Sequence, residues 1–158
     1  MYVSVRSWQA THDALTGVYN RRFFEEEMTR LERGRQFPVS IIMADLDDLK
    51  VTNDRDGHAM GDVLLLRAVQ VLNAAFRAED IIARIGGDEF AILLPNTDTA
   101  LAQQLLRRVR RAVEEHNVAH GGAPLSISFG FSTAEQGYAL TDTLKEADAR
   151  MYEEKRGS

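Results

Sequence analysis

The chain predicts an α+β sandwich, a mixed and mainly antiparallel central sheet of about five strands flanked by helices. Three observations carry that expectation. Helical and strand patterns follow one another as helix, strand, helix, hairpin, helix, strand, helix. Val39–Leu46 is apolar on both faces, with Val39, Ile41 and Met43 on one and Ile42, Ala44 and Leu46 on the other, which marks an interior strand covered from both sides. Gly86-Gly87 separates two apolar runs, residues 81–85 and 90–94, as a tight hairpin would, since both glycines tolerate positive φ.

Taken in order, residues 1–12 read as a linker helix, the tail of an upstream element, and residues 13–158 as one domain. Residues 21–33 set Phe23, Phe24, Met28 and Leu31 on one helical side, with Gly34 and Pro38 as the stop. Residues 61–78 form a long buried helix carrying Leu65, Val69, Leu72 and Phe76. Pro95 closes the hairpin, and an amphipathic helix follows through Ala102, Leu105, Leu106, Val109 and Val113. Residues 124–132 are the next strand and 141–155 the last helix.

Bulk composition narrows the function. A length of 158 residues suits a single domain with its own core. The absence of cysteine excludes disulfides and thiolate metal sites and fits a reducing compartment. A net charge of −5, from 19 basic and 24 acidic residues, argues against a general nucleic-acid surface or contact with anionic membranes. No apolar stretch approaches a membrane span and no signal peptide is visible, so a cytoplasmic protein is expected.

Two acidic constellations carry the chemistry. Asp88 and Glu89 follow directly on Gly86-Gly87, at the mouth of a sheet where a ligand can approach the backbone closely. Asp45, at the end of the interior strand, opens the run Asp45-Leu46-Asp47-Asp48-Leu49-Lys50-Val51-Thr52-Asn53-Asp54, continued by Gly57-His58 and Gly61-Asp62. Carboxylates about 4 Å apart repel by roughly 1 kcal/mol in water and about 4 kcal/mol at an effective dielectric of 20. A divalent cation reverses that sign, and Mg²⁺ characteristically sits between one or two carboxylates and substrate phosphates. Asp45 and Asp88 form such a site only if their strands are neighbours. Asp47 and Asp48 read as helix caps or solvated charges. A calcium loop around Asp54-Arg55-Asp56-Gly57 fails, because Thr52 and Val63 stand where acids are needed. No Walker-type glycine loop is present.

Together these segments resemble the GGDEF domains, the diguanylate cyclases. Residues 13–22 (Asp-Ala-Leu-Thr-Gly-Val-Tyr-Asn-Arg-Arg) are similar to the family's opening motif, with Val18 for the usual Leu. Residues 45–62 resemble its metal and guanine segment, with Leu49 for the more frequent Phe. Gly86 to Phe90 is its signature unaltered, Ser126-Ile127-Ser128-Phe129-Gly130 stands at an expected strand, and residues 147–155 follow its C-terminal helix. The resemblance implies a nucleotidyl-cyclase, palm-like fold and condensation of two GTP into cyclic di-GMP. It implies two Mg²⁺ per site, with Mn²⁺ as a substitute, held by Asp45, the carbonyl of Leu46 and Asp88.

Within that resemblance Asp88, Glu89 and Lys50 are the catalytic candidates. Asn53 and Asp62 would read the guanine edge, with His58 beside them or in a structural hydrogen bond. Lys50 and Lys155 would meet phosphates as point charges. A second basic residue usual after the position of Lys155 has no clear counterpart here, Arg156 being a doubtful substitute. Arg77-Ala78-Glu79-Asp80 matches the family's Arg-x-x-Asp product-inhibition site, with Arg108 as a secondary contact; a helix-end charge is the plain alternative for Asp80. Because each site holds one GTP, the resemblance also implies a second GGDEF domain as catalytic partner and an upstream sensor that supplies proximity. A non-catalytic effector that binds cyclic di-GMP is the alternative function.

Overall fold

The computed structural model describes residues 5–157. Its strands are β1 Tyr19–Asn20, β2 Val39–Leu46, β3 Ile81–Arg84, β4 Glu89–Leu94 and β5 Ile127–Ala134; its helices are α1 Val5–Thr11, α2 Arg21–Glu32, α3 Leu49–Asp56, α4 His58–Ala75, α5 Thr99–His120 and α6 Leu140–Gly157. The strands form one sheet in the order β1-β3-β4-β2-β5, parallel between β1 and β3 and antiparallel elsewhere. This is the mixed, mainly antiparallel five-stranded sheet that the sequence predicts.

The two-sided pattern of β2 decides the layering. Ile42, Ala44 and Leu46 join Phe90 and Ile92 against the α4 and α5 residues Leu65, Leu72, Leu105 and Val109. Val39, Ile41 and Met43 join Ala91 and Leu93 against Phe24, Met28 and Leu31 of α2 and Leu140, Ala147 and Met151 of α6. Each fully buried Leu, Ile or Phe is worth roughly 1.5–3 kcal/mol, so a one-residue slip, which would exchange the two faces, is strongly opposed. That register fixes which carboxylates meet at the strand ends.

Local chemistry sets the helix starts. Asn20 accepts the Phe23 N–H at 2.9 Å and Asp98 the Leu101 N–H at 2.8 Å, each satisfying an orphan donor of the first turn. Gly57, with φ 87°, turns the chain sharply between α3 and α4. On the other side of the sheet, a Cβ at Gly130 of β5 would overlap the backbone of Ala147 and Met151, so α6 lies directly against the strand.

Several boundaries differ from the sequence reading. The long helix begins at His58 rather than residue 61, and ends at Ala75, where Phe76 turns extended. Gly61 lies inside its first turn, where a Cβ would meet the Asn53 side chain. Strand β5 begins at Ile127, not 124: Pro124 has no N–H, and the Leu125 N–H and C=O are both taken by Asn117. Neither Gly86 nor Gly87 has a left-handed φ; the turn is closed by the Ile85 and Gly86 N–H groups donating to the Glu89 carbonyl at 3.0 and 3.4 Å. The Asp48 side chain caps nothing, although its backbone occupies the N-cap position of α3 with φ 60°. Asp47 instead accepts from the Ser126 and Ser128 hydroxyls at 2.6 and 2.7 Å. Of the proposed linker helix, residues 5–11 are helical and residues 1–4 lie outside the described residues. Among the described residues no helix is long and apolar enough to cross a membrane.

Candidate active site

β2 and β4 are hydrogen-bonded neighbours in which Asp45 sits opposite Glu89. The Leu46 N–H donates to the Asp88 carbonyl at 2.9 Å, tying the signature turn to the end of β2. One oxygen each of Asp45, Asp88 and Glu89 lie within 4.8 Å of one another. The condition set by the sequence is therefore met: acids 43 residues apart converge on one point.

Their electrostatics are those of an unneutralised group. Asp45 is 8% exposed and its Oδ1 has no hydrogen-bond partner. Burial pushes its pKa up to about 6, with the neighbouring Asp88 adding to the rise and Lys155 opposing it. Burial also raises Glu89, and the charges of Asp148 and Asp88 raise it further. Lys155 brings an ammonium to 3.0 Å from Asp45 Oδ2; burial lowers the lysine's own pKa, but Asp45, with Asp47 and Asp88, outweighs it and the net shift is upward. The Leu46 carbonyl accepts from the same ammonium at 3.3 Å. Hard oxygen donors, one of them buried and unpartnered, fit a divalent cation such as Mg²⁺ or Mn²⁺.

Beside the acids opens a cavity of about 520 Å³. Lys50, Asn53, His58 and Asp62 all line it, together with Arg84, Gly87 and Asp88. Lys50, His58 and Asp62 are exposed, whereas the Asn53 amide is packed against Gly61 with its Oδ1 buried and unpaired. A Cβ at Gly61 would meet the Asn53 amide itself, so in this rotamer the amide occupies the space that the glycine leaves open.

The family model described as "Diguanylate cyclase, GGDEF domain" matches residues 10–158. The chain belongs to the GGDEF family. It is 35% identical over 152 residues to diguanylate cyclase VdcA of Vibrio cholerae, covering 92% of this chain and 44% of that protein. It spans 14% of the probable diguanylate cyclase DgcE and 34% of DgcT, both of Escherichia coli, so it matches a minor part of each of these relatives. Among solved structures, the coiled coil and GGDEF domain of DgcB from Caulobacter crescentus in complex with c-di-GMP superposes with a TM-score of 0.85 at 26% identity, covering 95% of this chain and 83% of that one. Diguanylate cyclase SiaD from Pseudomonas aeruginosa, in complex with its activator SiaC, gives 0.80 at 33% identity, covering 93% and 58%.

In this GGDEF domain Arg77 and Asp80 also meet. Asp80 accepts from the Arg77 backbone N–H and from its Nε and Nη2 at 2.8–3.1 Å, while Nη2 further reaches Thr97 and the Pro95 carbonyl. The pair borders a separate cavity of about 540 Å³, which His12, Tyr19, Asn73 and Phe76 help to line. Arg108 is exposed on α5 and lines neither cavity.

Three contacts of the site escaped the sequence reading. Arg84 holds the Gly87 carbonyl through Nε and Nη2 at 3.2 and 2.7 Å and reaches Asp13 at 3.4 Å, linking the opening motif to the signature turn. Asp47 joins the β2–α3 turn to β5 through its two serines. Glu154 pairs with Arg110 of α5 and accepts the Phe129 N–H at 2.7 Å. An arginine two residues before the glycine pair was the visible signal for the first; the other two depend on contacts across the sheet that no local pattern encodes.

Proposed function

We propose that the domain is a diguanylate cyclase, condensing two GTP into cyclic di-GMP and two pyrophosphates. The observation that carries this reading is the convergence of Asp45, Asp88 and Glu89 at the rim of a cavity lined by Asn53 and Asp62. Asp45, the Leu46 carbonyl and Asp88 would hold the divalent cations, two in the family's pattern. Bound there, such ions supply charge neutralisation and alignment for in-line displacement of pyrophosphate by a 3′-hydroxyl.

The side chains divide the remaining tasks. Asn53 offers donor and acceptor to guanine, and Asp62 accepts from its N1 and N2 hydrogens; adenine lacks those donors and would leave Asp62 unpaired. His58 borders the base, while Lys50 and Lys155 receive phosphate charge. Asp88 accepts the proton of the attacking hydroxyl, and Glu89 supports the acid group from the adjoining strand position. Because one site holds one GTP, two domains must face one another, with an upstream sensor or coiled coil holding them close. The structure of DgcB, which comprises a coiled coil and a GGDEF domain, is consistent with that arrangement. Arg77 and Asp80 would bind product and restrain turnover, with Arg108, which lies outside their cavity, as a secondary contact.

Incubating concentrated protein with GTP and Mg²⁺ and analysing products by mass spectrometry tests the reaction. Cyclic di-GMP is expected, with specific activity rising with protein concentration, and none from Asp88→Asn. Binding of cyclic di-GMP without turnover of GTP would favour the effector reading instead, for which the Arg77–Asp80 cavity is the supporting observation.

A further inference from the structure

The seat of the Lys155 ammonium coincides with ligands assigned above to metal. Its Nζ donates to Asp45 Oδ2 at 3.0 Å and to the Leu46 carbonyl at 3.3 Å, with Asp47 Oδ1 at 3.8 Å. The preceding residue is anchored: Glu154 is bidentate to Arg110 and accepts the Phe129 N–H on the outer edge of β5. Gly130 lets the α6 backbone press against the same strand. The helix end is thereby fixed, and only the four-carbon stem of Lys155 remains to change the position of its charge.

A divalent ion on those oxygens and an ammonium donating to them would stand about 4–5 Å apart, two like charges on one shared pair of acceptors. We propose that Lys155 is a resident counter-cation at Asp45 and Leu46, displaced by the divalent metal and handed over to nucleotide phosphate. Metal and ammonium exclude each other at this seat, and nucleotide relieves the exclusion by giving the displaced charge an anion. Lys155 thus couples metal binding to nucleotide binding, beyond its role as a phosphate contact. The inference rests on the cyclase reading of the acid site, and its test is kept apart from turnover.

Mn²⁺ affinity of the whole chain is measured without nucleotide, by electron paramagnetic resonance of free Mn²⁺ at about pH 8, where carboxylates are ionised. Lys155→Met should bind Mn²⁺ about fivefold tighter than the wild type. Asp45→Asn should abolish binding in both backgrounds, locating the ion. A second measurement needs no variant: with only Lys50, Lys145 and Lys155 in the sequence, the Lys155 side-chain methylene signals can be followed by nuclear magnetic resonance as Mg²⁺ is added. They should move to values of a solvated ammonium. Mn²⁺ affinity unchanged or weakened in a folded Lys155→Met protein, or Lys155 signals unmoved at saturating Mg²⁺, would overturn the proposal. Either result in an enzyme that makes cyclic di-GMP faults this inference alone; tighter Mn²⁺ binding in a protein that makes none faults the cyclase reading alone.

Discussion

Asp45 and Asp80 are both buried aspartates facing a cation, yet they sit in opposite electrostatic conditions. Asp80 is fully enclosed and receives three donors from Arg77 alone, its backbone N–H included. Asp45 receives one ammonium, keeps an oxygen without a partner and has two further acids within 4.8 Å. A buried polar atom left unmade costs about 1–3 kcal/mol, so the first arrangement stabilises the fold and the second stores a demand for positive charge. Where a carboxylate is saturated, it serves structure first; where it is starved, it waits for a ligand.

Asp88→Asn should break the comparison most visibly. Removing one negative charge from the starved group should abolish cyclic di-GMP formation, a loss of at least about 100-fold in rate. The melting temperature should stay level or rise, because repulsion with Asp45 is relieved. A protein that loses both stability and activity would place Asp88 in the structural class with Asp80.

Asp80→Ala should do the reverse. It leaves the Arg77 N–H without its acceptor and the half-buried guanidinium with only Glu79, Thr97 and the Pro95 carbonyl, so urea unfolding should show a loss of about 1–2 kcal/mol. Cyclic di-GMP affinity should fall with it, while the initial rate at low product should change little. An unaltered unfolding midpoint would show that the Arg77–Asp80 pair contributes only to ligand binding.

Gly61→Ala sharpens the comparison at the cavity wall. In an ordinary helix that change stabilises by about 0.5–1 kcal/mol, but here the new methyl overlaps Asn53, and overpacking typically costs about 1–3 kcal/mol. The apparent KM for GTP should rise about tenfold as the amide is pushed off the base. A stabilised protein with unchanged KM would mean that Asn53 has another rotamer open to it.

What the sequence made legible followed from periodicity and from motif. The alternation of β2 gave its interior position and both of its faces, and the glycine pair gave the place of the hairpin. Asp45, Asp88, Asn53 and Asp62 could be named because their segments are contiguous and typed. Two-residue β1 is too short to show a period. The turn geometry at Gly86-Gly87 was misjudged because glycine permits positive φ without requiring it. Asp47 read as a cap because its partners, Ser126 and Ser128, are supplied by a strand about 80 residues on. The seat of Lys155 depends on Gly130 admitting α6 and on Glu154 finding Arg110, contacts between elements that sequence distance hides.

Arg67 gives the comparison a third point, a buried cation rather than a buried anion. Unlike Arg77 it has no carboxylate within 4.0 Å among the described residues. Its Nε donates to His116 Nε2 at 3.0 Å, its Nη1 to the Ala123 carbonyl at 2.9 Å, and its Nη2 is buried without a partner. His116 can accept only while neutral, and burial, then the charges of Arg67 and the stacked His120, hold its pKa below the ordinary 6.5. A depressed histidine means that the unfolded chain binds more protons in the window between the two pKa values. Stability from this contact is therefore complete above about pH 6.5 and declines as pH falls toward the folded value. The ring is only partly buried, so solvent screening should keep the loss below about 1 kcal/mol. Urea midpoints followed from about pH 8 down to 5.5 should show it, and His116→Gln, which keeps an acceptor that cannot charge, should flatten that part of the profile. Asp45 and Glu89, whose pKa values are raised, change stability in the opposite sense, so an identical decline in the variant would assign the pH dependence to other groups and leave Arg67 as indifferent to its histidine as Asp80 is content with its arginine.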